Sequence, residues 1–256
     1  MTLSDDFRRL HAEGVLVLPN AWDAASARLV EQAGAAAVAT TSGAVAWSLG
    51  VPDGDRLPLE LLAGAVERIA AAVAVPVTAD VESGGADVAA TVRAVLAAGA
   101  VGINLEDGGG PVEQHRDRVA AAREAGGRDL FVNARTDLYL FGIGEPDGRL
   151  AETIARAGVY AEAGADGIFV PGVTDPAVLR TLVAEIPLPV NVLAGPGAPA
   201  VDDLAAIGVR RVSVGTGLAE VAYAAADRAA RELLATGTYG ALEGGLAYGD
   251  LQKLLD

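Results

Sequence analysis

Short β-branched runs alternate with alanine-rich amphipathic stretches about eight times along the chain, and this alternation limits the fold more than anything else. The predicted strands are Val15–Leu18, Ala36–Ala39, Val75–Ala79, Gly102–Leu105, Leu130–Asn133, Gly167–Val170, Val190–Leu193 and Arg211–Val214. Helix-like segments separate them at Asp23–Ala33, Pro58–Val73, Asp87–Ala98, Val112–Ala125, Arg149–Ala163, Pro176–Glu185, Val201–Ile207 and Gly217–Thr236. Continuous apolar strands divided by amphipathic helices make a parallel sheet that is covered on its outer face. Ala-Gly-Ala recurs at the helix-to-strand joints, as in Ala33-Gly34-Ala35, Ala98-Gly99-Ala100 and Ala163-Gly164-Ala165. Glycine there ends a helix in the left-handed conformation before the next strand begins. Eight such units closing on themselves predict an α/β fold, a (β/α)8 TIM barrel.

A doubly wound open sheet is the competing architecture, but at 256 residues it usually has fewer strands or a second domain. No Pro/Ser-rich linker or charge block interrupts the chain, so residues 1–256 read as a single domain. Residues 1–236 form the barrel and 237–256 an extension. Within the extension, Gly237–Gly249 is loop-like and Asp250–Leu255 is a short helix with no evident place in the barrel.

Composition removes several kinds of chemistry. The net charge of −15 argues against nucleic-acid and anionic-membrane partners. A small anionic substrate stays open, because one metal ion and one arginine reverse the field locally. Cysteine is absent, which excludes thiol nucleophiles and thiolate metal sites. The one lysine is Lys253, so Schiff-base chemistry has no obvious residue. His11 and His115 lie away from the predicted strand ends and read as surface or packing residues. The acidic N-terminus and the lack of a run of ~20 apolar residues predict a cytoplasmic location.

What remains is carboxylates, arginine and hydroxyls, and these gather where strands stop. In a barrel of this type, groups at the C-terminal strand ends face the active-site mouth. Asp80 and Glu82 follow the third strand on what reads as one strand face, and Glu106 follows the fourth. A carboxylate ending an apolar strand costs free energy unless it is paired, solvated or bound to a cation. Two or three such oxygens suit Mg2+, with water and substrate completing the octahedron. Arg135 ends the fifth strand, placed to grip a substrate carboxylate at two points or to pair with one of those acids. Ser42, Gly43 and Ala44 follow the second strand and offer a hydroxyl and backbone amides to an anionic oxygen; an ordinary turn explains them equally. Asp53, in the long connection after that strand, reaches a metal through water or is an exposed loop acid.

Taken in order, Pro19-Asn20-Ala21-Trp22-Asp23, Thr40-Thr41-Ser42-Gly43, Ala79-Asp80-Val81-Glu82-Ser83-Gly84, Asn104-Leu105-Glu106-Asp107 and Asn133-Ala134-Arg135-Thr136-Asp137 resemble the phosphoenolpyruvate mutase/isocitrate lyase family. The resemblance runs from about Phe7 to Leu218. It implies a barrel whose C-terminal helix is exchanged between subunits of a dimer or tetramer. It also implies Mg2+ (or Mn2+) and a small 2-oxo or 2-hydroxy acid whose C–C or P–C bond is broken beside a carboxylate. Asp80 matches the direct metal ligand, and Glu82, Glu106 and Asp53 match acids acting mainly through water. Ser42, Gly43 and Ala44 match the segment holding substrate oxygens, Arg135 the substrate arginine, and Asn191 a polar residue after strand seven.

The chain departs from the family where lyases carry a Lys-Cys-Gly-His lid. Here Gly108-Gly109-Gly110-Pro111 stands in that place, and Ser83-Gly84-Gly85 replaces the usual Gly-Tyr-Gly turn. Isocitrate and methylisocitrate cleavage therefore lose their proton-transfer group. Such a short lid excludes water poorly, which favours hydrolytic cleavage or decarboxylation of an oxaloacetate-like acid through a metal-stabilised enolate. Phosphonomutase or phosphonopyruvate hydrolase activity is the alternative, and a non-catalytic metabolite-binding barrel the third.

Overall fold

A computed structural model describes residues 2–255. Its strands are β1 (Leu16–Leu18), β2 (Asn20–Ala21), β3 (Val38–Thr40), β4 (Val77–Asp80), β5 (Gly102–Glu106), β6 (Phe131–Arg135), β7 (Gly167–Val170), β8 (Val190–Leu193) and β9 (Arg211–Ser213). All neighbours pair in parallel, in the order β1-β9-β8-β7-β6-β5-β4-β3-β2. Only Pro19 separates β1 from β2. With no N–H to give the ladder, it breaks the first strand in two. The nine segments are thus the eight strands of a (β/α)8 barrel.

The helices are α1 (Leu3–Ala12), α2 (Ala24–Gln32), α3 (Ser42–Ser48), α4 (Leu59–Ala72), α5 (Val88–Ala97) and α6 (Val112–Gly126). They continue with α7 (Pro146–Glu162), α8 (Pro176–Glu185), α9 (Val201–Ile207), α10 (Gly217–Thr236) and α11 (Tyr248–Leu255). Local chemistry sets their starts. Asp23, Asp87 and Asp175 accept hydrogen bonds from the first-turn amides of α2, α5 and α8, each replacing a partner the helix cannot supply. Gly34, Gly99 and Gly164 hold φ of +98°, +97° and +104°, as the repeated joint requires.

Strand alternation builds two layers. Ile103, Leu105, Val132, Ala134, Ile168 and Val192 face outward into the helices, where Val92, Val95, Val119, Leu179 and Leu182 are buried. Each large apolar side chain fully buried there contributes about 1.5–3 kcal/mol. The alternate positions Asn104, Asn133, Asn191 and Arg211 point inward and fill the barrel with a polar network instead. At the N-terminal end α1 closes the barrel. Phe7 meets Phe131 edge-on at 5.4 Å, and His11 stacks on it at 4.0 Å. Arg8 fixes the plug through Asp166 at 2.6 Å.

Several boundaries differ from expectation for one physical reason. β4, β5 and β6 run on to Asp80, Glu106 and Arg135, because strand ends at the barrel mouth stay hydrogen-bonded while tolerating charge. The Thr-Ser-Gly segment opens helix α3 and is not a plain turn. α7 starts earlier, with Pro146 at its first turn, and α11 starts at Tyr248. In this single chain α11 rests on α2, where Arg28 Nε donates to Leu254 O at 2.7 Å. α10 buries Ala219 alone of its own residues and leaves Val221 and Leu234 67% and 86% exposed. Among the described residues no helix is long and apolar enough to cross a membrane.

Candidate active site

The C-terminal strand ends surround a cavity of about 870 Å³. Ser42, Gly43, Asp53, Asp80, Asn104 and Arg135 line part of its wall. The loops after β8 and β9 line the rest, with Gly195, Gly215 and Thr216, and α10 adds Val221. Five of the sequence-predicted residues therefore share one space: Ser42, Gly43, Asp53, Asp80 and Arg135.

Asp80 is held from two sides. Its backbone N–H donates to Thr40 Oγ1 at 2.8 Å, and its Oδ2 accepts the Ser42 N–H at 3.2 Å. Its Oδ1 is buried and has no hydrogen-bond partner among the described residues. A buried carboxylate oxygen left this way is costly unless something else binds it. Asp53 approaches beside Gly43, where a Cβ would stand 3.2 Å from Asp53 Oδ2 and 3.0 Å from Thr216 Cγ2. Any side chain at 43 would push the acid away.

Glu82 is not on the face of β4, as the alternation argument expects. The strand ends at Asp80, and Glu82 sits in the following turn with φ +52°. A non-glycine residue in that region costs free energy and persists only where its surroundings impose it. Its Oε2 accepts the backbone N–H of Asp55, itself at φ +56°, so the two turns brace each other. Glu82 lines an adjoining cavity of about 280 Å³ that shares Ser42 with the central one. Burial pushes its carboxyl up, against the Asp55 amide, and the charges of Asp53, Asp55 and Asp80 add to the shift.

Arg135 Nη1 lies 2.7 Å from Glu106 Oε2, and its Nε donates to Asp137 Oδ1 at 2.6 Å. The anticipated pairing with an acid is present, while Nη2 makes no hydrogen bond among the described residues and Arg135 lines the cavity. Burial pushes the Glu106 carboxyl up to about 8; Arg135 opposes the shift, and the charges of Asp80, Asp137 and Glu82 add to it.

Asp107 and Asp137, which end the motifs after Glu106 and Arg135, have side chains fully buried behind the mouth. Asp107 Oδ2 accepts from Tyr160 Oη at 2.8 Å and Arg156 Nη1 at 2.9 Å, and Oδ1 from the Asp137 and Gly109 amides. Burial opposes its ionisation, but these bonds outweigh it and hold the carboxyl below its ordinary range. The Gly108–Gly110 turn belongs to this network. Gly110 O accepts from Arg156 at 2.8 Å, and Gly109 lies against Ile143 so closely that a Cβ would overlap it.

The remaining predicted residues are not at the cavity surface. Ala44 is wholly buried in the first turn of α3. Asn191 is inside the barrel, 1% exposed, with Nδ2 directed to Val192 O and Ser213 Oγ and Oδ1 accepting from Asn133. His11 and His115 are both buried packing residues; neither is at the surface. Asn104 lines the cavity as well, a residue not among the predicted site residues. Its signal is a polar residue at the inward position between Gly102 and Glu106 of an otherwise apolar strand.

The donors available to a divalent cation here are hard carboxylate oxygens, those of Asp80, Asp53, Glu82 and Glu106. Among the described residues no three acidic or imidazole groups converge into a ready-made cage. One directly binding carboxylate with water-bridged neighbours is the pattern Mg2+ commonly adopts, and the unpartnered Asp80 Oδ1 fits it.

The family model described as phosphoenolpyruvate phosphomutase matches residues 7–234. An uncharacterized protein of Mycobacterium tuberculosis is 39% identical, covering 88% of this chain and 87% of its own length. A solved Burkholderia cenocepacia J2315 protein shares 43% identity over 89% of this chain and 98% of its own, with a TM-score of 0.84. A phosphonopyruvate hydrolase solved with oxalate and Mg2+ superposes with a TM-score of 0.86 at 26% identity, over 99% and 95% of the two chains. Other relatives have different activities, among them oxaloacetate decarboxylase of Rhodopseudomonas palustris and 2-methylisocitrate lyase of Escherichia coli. Motif order, barrel and strand-end acids agree with these matches, which place the chain among the enzymes of the phosphoenolpyruvate phosphomutase family, within the phosphoenolpyruvate mutase/isocitrate lyase superfamily.

Proposed function

We propose that this chain is a Mg2+-dependent enzyme that cleaves a C–C bond of, or decarboxylates, a small oxaloacetate-like 2-oxo or 2-hydroxy acid. The observation that carries the reading is Asp80, whose buried Oδ1 has no partner, sharing one cavity with the free Nη2 edge of Arg135. Bound Mg2+ would be held by Asp80 directly and by Asp53, Glu82 and Glu106 through water, and would polarise the 2-oxo group and offset enolate charge. Arg135 orients the substrate carboxylate, with Phe169 behind its guanidinium at 5.8 Å. Ser42 and Gly43 place a hydroxyl and a backbone amide where negative charge accumulates. The Gly108–Gly110 turn is tied to Arg156 and Ile143 and brings no acid or base, which disfavours the lid-dependent lyase reactions.

The test is turnover of a panel of 2-oxo diacids and malates with saturating Mg2+ or Mn2+. Oxaloacetate is expected to be consumed, and a silent panel overturns the reading. A second reading, phosphonomutase or phosphonopyruvate hydrolase, draws on the Gly195 and Gly215–Gly217 turns, which border the cavity where barrels often take phosphate. Phosphorus NMR of phosphonopyruvate separates the two: loss of the P–C resonance favours the second. The exposed face of α10 is assigned to contact between copies of this chain, in a dimer or tetramer. A soluble cytoplasmic enzyme of a small metabolite is the setting that fits the acidic surface.

A further inference from the structure

Arg211 is 1% exposed on the inner face of β9, and no carboxylate pairs with it among the described residues. Its Nη2 donates to Asn104 Oδ1 at 3.0 Å, while Nε and Nη1 are buried without partners. A guanidinium only donates. The Asn104 atom facing it is therefore the amide oxygen, and the side-chain orientation is fixed without ambiguity. Asn133 Nδ2 donates to the same oxygen at 2.8 Å, and is itself held by Asn191 Oδ1 at 3.1 Å. Two donors on Oδ1 turn Nδ2 the other way. That nitrogen makes no hydrogen bond among the described residues, and Asn104 lines the floor of the central cavity, opposite Asp80 in the β4–β5 register.

We propose that the Asn104 amide is a substrate-binding donor at the cavity floor, and that Arg211 is the positioning residue that keeps its N–H edge toward an anionic oxygen. The inference rests on the functional reading above for the class of ligand, a small carboxylate such as oxalate. In this network Asn104 Oδ1 is taken by two donors, which leaves its Nδ2 as the donor facing the cavity, where an anionic oxygen can accept from it. Arg211 has no salt-bridge partner among the described residues, and the carboxylate whose charge acts on it is Asp80. Burying a charge without an ion-pair partner is costly, and an apolar side chain of similar volume removes that cost.

The experiment measures oxalate binding with Mg2+ by calorimetry for the wild type, Asn104→Leu and Arg211→Met, alongside their melting temperatures. The expected result is a Kd about tenfold weaker for both variants, the loss of roughly one hydrogen bond. Arg211→Met should melt no lower than the wild type, which a purely structural role for Arg211 does not predict. Unchanged oxalate affinity in both folded variants overturns the proposal. If the wild type takes up no oxalate, the functional reading fails first, and the side-chain amide NMR pair of Asn104 decides the rest without ligand. That pair, identified by its loss in Asn104→Leu, should exchange faster in Arg211→Met; equal exchange overturns the proposal.

Discussion

Arg135 Nη1 lies 2.7 Å from Glu106 Oε2, yet burial and three neighbouring acids push the Glu106 carboxyl up to about 8. The arginine alone does not offset the charge gathered there. With a raised value, Glu106 keeps its proton through neutral pH, and a bound dication would drive it off. Mg2+ binding should therefore release close to one proton below pH 8 and tighten as pH rises, by up to about tenfold per unit. Calorimetry in two buffers of different ionisation enthalpy measures the release; equal apparent enthalpies between about pH 6.5 and 7.5 would contradict it.

Asp80→Asn keeps the shape and the contact to the Ser42 amide but loses the anionic oxygen. Mg2+ affinity should fall by more than ~100-fold, with little change in melting temperature. Equilibrium dialysis with Mn2+ as a paramagnetic probe reads the first, and a thermal scan the second.

Arg135 faces both ways, toward substrate and toward buried Asp137. Arg135→Lys keeps the charge but not the planar fork, so KM should rise about 10- to 100-fold. Arg135→Ala also leaves Asp137 unpaired, with a stability loss of about 3–5 kcal/mol. A variant that changes kcat while leaving KM and stability untouched would remove Arg135 from substrate binding.

How much of this was legible follows from where partners lie in the chain. Asp80, Glu106 and Arg135 stand at the ends of apolar runs, where a single sequence marks charge as misplaced and so as functional. Glu82 has the right neighbourhood for the wrong reason. Its φ of +52° depends on the turn around Asp55, and residue alternation carries no trace of that. Asp107 directly follows Glu106 in sequence, yet it is buried by Arg156 and Tyr160, which come from α7 about fifty residues on. Asn191 was assigned to the site although its side chain is spent inside the barrel. Asn104 sits inside an apolar strand, and its free amide edge depends on Asn133 and Arg211, far away in sequence.

His11 links the barrel plug to pH. Burial, followed by the Arg211 charge, lowers its folded value from 6.5 to about 3. A depressed histidine stabilises the fold fully above the unfolded value and loses that contribution as pH falls from 6.5 toward 3. His115 behaves alike, falling to about 4 beside the edge of Tyr160. His11→Gln should cost some stability at neutral pH through its lost stacking on Phe131. It should also flatten the decline below about pH 6.5 by roughly 1.4 kcal/mol per unit. Urea midpoints at stepped pH measure it, and parallel wild-type and variant curves would show that His11 is not the group titrating.

α10 is 20 residues long, about 30 Å, and little of it touches its own barrel. Leu218, Val221, Leu233 and Leu234 are exposed on it, and Tyr239, Leu242 and Leu246 follow in the extension. Apolar surface on this scale is a mark of an interface. Val221 and Ala224 also border the central cavity, so a second chain covering α10 would complete the wall beside Thr216. Leu233→Asp with Leu234→Asp, both away from the cavity wall, should therefore shift the particle from a multiple of 25.7 kDa to the single-chain mass and raise KM several-fold. Light scattering coupled to gel filtration gives the mass. A wild-type particle already at single-chain mass would sink the assembly, and an unchanged KM in the dissociated variant would show that the cavity is complete within one chain.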